Sequence, residues 1–225
     1  MILGSATIGA LGSFATHSIL PALAAIRASL HSEVGVTQLI VSLSLLSLGA
    51  GQLIVAPLSD RIGRRPIILT GLILYVTASI AAAFSWRIDW LIAVRAIQAF
   101  GCGASISVAR ATIVDYFGAR RSATGIAYSA TAILLVPMFA PTLGGYLAEF
   151  FGWRWIFGCC ALLGSAVLVF TWMRIAETHP PRDVQRPRPR TAHSYRILLT
   201  SPDYMAYVIF GSFMTASMYT VITGA

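Results

Sequence analysis

Arg95 and Gln98 stand in "WLIAVRAIQAF" (90–100), a run with no other charge. A guanidinium about six residues inside an apolar span lies roughly 9 Å deep at a 1.5 Å rise per residue. Such a charge costs at least a few kcal/mol unless it is paired or hydrated. Two readings fit it. The side chain can snorkel to the nearer surface. Alternatively, Gln98 at i+3 and Gly101 at i+6 join it in one polar face lining a cavity. His17, in "SFATHSILPAL" (13–23), is the other ionisable group inside an apolar run. Imidazole titrates near neutral pH, so it fits a proton carrier, and a hydrogen-bonded packing residue equally.

A second constellation is "PLSDRIGRRP" (57–66). Asp60 precedes Arg64 by four residues, which brings opposite charges together if the segment is helical. Gly63 permits a tight reversal, and Pro66 suits the first turn of a following helix. Arg61, Arg64 and Arg65 anchor that end in water. A third group, Pro137, Pro141, Gly144 and Gly145, predicts a kinked helix with a close neighbour, as an ordinary membrane helix or as a gate.

The elements that position these residues follow from composition. Of 225 residues, 57% are hydrophobic and 11% charged, and all 16 basic residues are arginine. A soluble domain carries about 25% charged residues, so the chain reads as an all-α membrane protein. Six apolar segments of spanning length lie near 2–25, 36–58, 66–86, 89–112, 122–148 and 153–175, and a seventh begins near Tyr204. The formal net charge is +8. The arginines punctuate apolar runs, so the expected contact is the lipid bilayer and not nucleic acid. Cys102, Cys159 and Cys160 show no metal-ligand spacing, and no cofactor is implied. Neither GxSxG nor HExxH occurs, which argues against an enzyme.

Arginine placement predicts orientation. Twelve arginines (61, 64, 65, 110, 120, 121, 174, 182, 186, 188, 190 and 196) fall on one side and three (27, 87, 154) on the other. The richer side is expected in the cytoplasm together with the amino terminus, although Arg27 opposes this locally. The expected organisation is a six-helix bundle over 1–176, a Pro/Arg-rich cytoplasmic linker over 177–200, and the start of a seventh span over 201–225. A repeat hides in the turns. Between "PLSDRIGRRP" (57–66) and "YLAEFFGWRW" (146–155), Leu58 matches Leu147, Asp60 Glu149, Gly63 Gly152 and Arg65 Arg154, always 89 residues apart. Three spans separate the copies, so the second is inverted, which predicts two inverted three-helix repeats.

The stretch from Gly51 to Pro66, G-x-L-x-x-x-P-L-S-D-R-x-G-R-R-P, resembles the loop motif of the major facilitator superfamily. "LPALAAIRASL" (20–30), "WLIAVRAIQAFGCGASISVARATIVDYF" (90–117), "PMFAPTLGGYLAEFFGWRWIF" (137–157) and "AET" (176–178) resemble its Bcr/CflA drug-resistance branch. The resemblance implies a secondary transporter in the inner membrane, exporting drugs or metabolites against protons by alternating access. By position, Asp60, Arg61, Gly63, Arg64, Arg65 and Asp115 would form a conformational latch, with Arg64 bridging Asp60 and Asp115. Arg95 would be tied to proton movement. The acid that this branch usually has at position 17 is His17 here. Ser13, His17, Gln38, Gln52, Arg95, Gln98, Tyr128 and Met138 are the candidate cavity residues, in a wall suited to lipophilic or cationic compounds. Family members have about twelve spans. The chain therefore reads as the amino-terminal half, inactive without its carboxy-terminal half, or as an assembling subunit derived from such a transporter.

Overall fold

The computed structural model describes residues 2–174 and 199–224, without the side chains of 119–121, 132, 215–216 and 218–224. The chain divides into two units, Met1–Arg182 and Asp183–Ala225. All but the last two residues of the expected linker lie outside the described residues. In the first unit the helices are α1 (Ile2–His17), a 3-10 turn (Leu20–Ala22), α2 (Leu23–Leu30), α3 (Val34–Ile62), α4 (Arg64–Ala83), α5 (Ile88–Phe117), α6 (Ala119–Phe150) and α7 (Arg154–Arg174). The second unit holds α8 (Pro202–Gly224). Among the described residues six helical stretches are long and apolar enough to cross a membrane, with α1 and α2 counting as one.

The first span departs from expectation. The sequence reads as one helix over 2–25, but α1 stops at His17. Pro21 has no N–H to give the His17 carbonyl four residues back, and its ring would collide with it. The chain turns through Ser18 and Ile19, with the Ala22 N–H returning to Ile19 O at 3.0 Å. The helix through Pro137 and Pro141 behaves otherwise: α6 runs on past both. Several helices also outlast their apolar runs. Glycines with positive φ set their ends: Gly63 (φ 114°), Gly118 (φ 72°) and Gly152 (φ 90°). Gly63 and Gly118 lie at one end of the bundle and Gly152 at the other.

Helix α5 is the centre, packed on α3 and α4 and also on α1 and α6, while α4 packs on α7 and α1 on α6. Backbones touch where a glycine faces the main chain of a neighbouring helix. A methyl group on Gly103 would overlap the Leu48 carbonyl of α3, and one on Gly51 the Phe100 carbonyl of α5. Lipid offers no hydrophobic drive between helices, so such fit carries the association. Gly103→Val is expected to lower stability by about 3 kcal/mol, because backbone and not a flexible side chain must yield. Gly35→Val, with nothing within 4 Å of the added carbon, is the control and stays within about 0.5 kcal/mol. Thermal unfolding in detergent reads both.

Candidate functional site

At the Gly63 end, α3 passes into α4 through Gly63 alone (φ 114°, ψ 156°). This places Arg64, the first residue of α4, back against the end of α3. Its guanidinium is nearly enclosed and serves three acceptors. It meets Asp60 Oδ1 at 2.7 Å and Asp115 Oδ2 of α5 at 3.0 Å. Nη1 donates to Ser59 Oγ. The Asp60 and Arg64 contact therefore spans a corner between two helices, not one helical turn as the spacing suggested. Asp60 keeps half its side-chain surface exposed, whereas Asp115 keeps 23%. Arg61 is exposed. Arg65 leaves this group and donates Nη2 to Trp172 O of α7 at 2.8 Å.

The second constellation is interior. Arg95 is 3% exposed and Gln98 fully buried, so the guanidinium does not reach the surface of the bundle. Arg95 Nη1 donates to Gln98 Oε1 at 2.6 Å and Nη2 to Ala15 O of α1 at 3.3 Å. The Phe157 ring lies 5.7 Å from its central carbon. Gln98 Nε2 donates onward to Ser79 Oγ of α4 at 2.6 Å, and Ser79 Oγ to Tyr75 O at 2.7 Å. Arg95 Nε has no hydrogen-bond partner among the described residues. The hydrogen-bond and ring partners of this cation are thus neutral. A buried cation with no counter-ion among the described residues responds to any charge that comes near, which is the chemistry a coupling residue needs.

His17 is buried at the end of α1, with Nδ1 2.7 Å from Ser13 O. A carbonyl only accepts, so Nδ1 carries the proton there. Ser13 Oγ reaches Ile133 O of α6 at 3.5 Å. The remaining cavity candidates are not gathered with Arg95: Gln38, Tyr128 and Met138 are exposed on α3 and α6, and Gln52 is half-buried. The proline and glycine group meets the α1 break instead. A methyl on Gly144 would overlap the Ser18 carbonyl, and one on Gly145 would lie 3.7 Å from the Pro21 ring.

Ser59, Ser79 and Phe157 are the partners that sequence reasoning missed. Each belongs to another element than the residue it meets, Arg64, Gln98 and Arg95 respectively, and no spacing rule links them. Ser79→Ala is expected to cost about 1–2 kcal/mol, since it leaves a buried amide N–H without an acceptor. Thermal unfolding of the purified variant beside the wild type measures it.

Residues 5–225 match the family model of the Major Facilitator Superfamily. The chain is 31% identical over 202 residues to Multidrug resistance protein D of Escherichia coli (strain K12), covering 89% of this chain and 50% of that protein. It is 32% identical over 173 residues to a Chloramphenicol resistance protein of Pseudomonas aeruginosa, covering 76% and 41%. It thus spans about half the length of these curated relatives. A solved structure of the proton:xylose symporter XylE superposes with a TM-score of 0.70 at 15% identity, over 79% of this chain and 44% of that one. That likeness is one of fold. Together with the six spans, these matches place a multi-pass membrane protein among transporters and not among enzymes: the chain belongs to the major facilitator superfamily and is related to its multidrug-resistance members.

Proposed function

We propose that the chain forms the amino-terminal bundle of a Bcr/CflA-type exporter that moves small molecules out of the cell in exchange for protons. The observation that carries this reading is the shared guanidinium of Arg64. Two carboxylates hold it at one end of the bundle, and one of them, Asp60, turns half its surface outward. A second bundle meeting Asp60 would close that end, and parting from it would open the path. The arginine bias puts this end in the cytoplasm, so the latch favours the outward-open state.

The packing supports an inverted repeat. Exchanging α1 and α2 with α5, α3 with α6, and α4 with α7 turns each principal helix contact into another contact that is present. The matched turns also agree, since Gly63 and Gly152 both take positive φ. Bundles built this way rock about a site near the bilayer midplane. The relatives' names, multidrug and chloramphenicol resistance, favour drug-sized, largely apolar substrates. Arg95, next to α1 and joined to Gln98, is the proton-responsive group. His17 stands where the branch keeps an acid.

A second reading is a membrane subunit that assembles with another bundle and transports nothing alone, an assembly that the half-exposed Asp60 would serve equally. One experiment separates the two. The full-length product of this gene is placed in proteoliposomes under a pH gradient, with chloramphenicol and tetraphenylphosphonium as substrates. Gradient-driven accumulation that collapses with a protonophore is expected. Flux indifferent to the gradient overturns proton exchange, and no flux of a panel of drugs favours the subunit.

A further inference from the structure

Two of the arginines at the amino ends of their own helices are met by backbone carbonyls of a neighbouring element. Arg65 lies in the first turn of α4 and Arg154 opens α7, and neither first turn holds an acid. The amino end of a helix is its positive pole, so a cation there is unfavourable unless something else holds it. Each finds that support on the other helix. Arg65 Nη2 donates to Trp172 O, among the last carbonyls of α7, at 2.8 Å. Arg154 Nη2 donates to Ser85 O, just beyond the end of α4, at 2.9 Å. Trp172 O lies in the last turn of α7, where a helix carries negative charge, and Ser85 O lies in the turn that follows α4. Ser85 is buried, and the last turn of α4 has no basic residue of its own. Arg154 also lies over the Trp153 ring at 4.3 Å, and Trp153 Nε1 donates to Ser29 Oγ at 2.8 Å, which fixes its approach.

We propose that Arg65 and Arg154 are reciprocal caps that tie the two ends of α4 and α7 into one rigid antiparallel pair. Of the adjacent arginines 64 and 65, only Arg64 then belongs to the contact that opens. This last clause rests on the transport reading, whereas the caps do not. Both residues are positioning residues: they hold α4, and with it Arg64, at a fixed place beside Asp115. Between the caps the helices are close, with a methyl on Gly164 falling 2.8 Å from the Tyr75 ring.

The test needs no transport. The chain is placed in lipid nanodiscs with Cys102, Cys159 and Cys160 replaced by alanine. Spin labels go on exposed sites, either Thr70→Cys with Val169→Cys near the Gly63 end, or Ile80→Cys with Leu162→Cys near the Gly152 end. Dipolar spectroscopy reads the width of each distance distribution. Arg65→Gln is expected to broaden the first pair at least twofold and leave the second, and Arg154→Gln to do the reverse. Lysine at either position restores most of the narrow width, because one N–H still reaches the carbonyl. Arg64→Ala leaves both pairs narrow. If neither glutamine variant broadens its own end, the arginines are topological anchors only and the proposal fails. It also fails if either variant loosens both ends equally. Should Arg64→Ala move the first pair while the glutamine variants behave as expected, the caps stand and the separate role of Arg64 falls.

Discussion

Replacing Arg95 with methionine is expected to reduce gradient-driven transport at least about a hundred-fold, the scale of losing one charge-assisted contact worth about 3 kcal/mol, while the bundle stays folded. Arg95 is enclosed among α1, α4, α5 and α7, with neutral hydrogen-bond partners. Burying a charge this way costs more than its hydrogen bonds return, and apolar residues of similar volume are often neutral or stabilising in its place. Methionine is flexible and apolar and fills most of the stem's volume, although it gives up the contact of the guanidinium with the Phe157 ring. It removes the charge and leaves Gln98 Nε2 bonded to Ser79. Gln98 Oε1 and Ala15 O lose a donor, at about 1–3 kcal/mol, against the several kcal/mol that the buried ion costs. The melting temperature should therefore hold or rise as flux disappears. A structural arginine gives the opposite pattern, with lost stability and flux that recovers once the remaining folded protein is counted. Flux per folded molecule, measured beside thermal unfolding in the same detergent, distinguishes them.

Arg64→Ala is expected to shift the balance between outward-open and inward-open forms by about 2 kcal/mol, or roughly thirty-fold toward inward-open. Most of this comes through Asp60, which keeps half its side chain exposed and would meet the second bundle, whereas the Asp115 pair lies within one bundle and is alike in both forms. Asp60→Asn should thus shift the balance more than Asp115→Asn. A larger effect of Asp115→Asn indicates that α4 and α5 part as that end opens. Accessibility of a single introduced thiol in the cavity, with and without substrate, measures the populations. Unchanged populations in Arg64→Ala would leave the corner a structural tie and nothing more.

The parts of this arrangement differed in how far the residues announced them. Spanning segments were legible because about 20 apolar residues have few other uses. Their ends were not, since positive-φ glycines and not hydropathy fix them, as at Gly63 and Gly118. Pro21 broke α1 where Pro137 and Pro141 left α6 continuous, and the presence of a proline does not tell the two outcomes apart in the sequence. The spacing of Asp60 and Arg64 pointed to a charge pair, and the resemblance added Asp115. The corner geometry came only with the fold. Arg95 and Gln98 lie one turn apart on one helix, so their bond could be read from their spacing. Ser79 and Ala15 come from elsewhere in the chain, and such long-range partners leave no local signal. Gln38, Tyr128 and Met138 show the converse. Polarity or a place on an expected cavity wall does not say which way a side chain points on a helix without neighbours on that face.

Sidedness tests the central claim most directly. The transport reading requires the Gly63 turn in the cytoplasm and the matched Gly152 turn outside, because the repeat is inverted. Arg61 and Phe151 are both exposed beside these turns. In a background without other reactive thiols, Arg61→Cys should react with a membrane-impermeant maleimide only after the cells are opened, and Phe151→Cys should react in intact cells. Labelling of both from the same side, or of position 61 from outside alone, would contradict it.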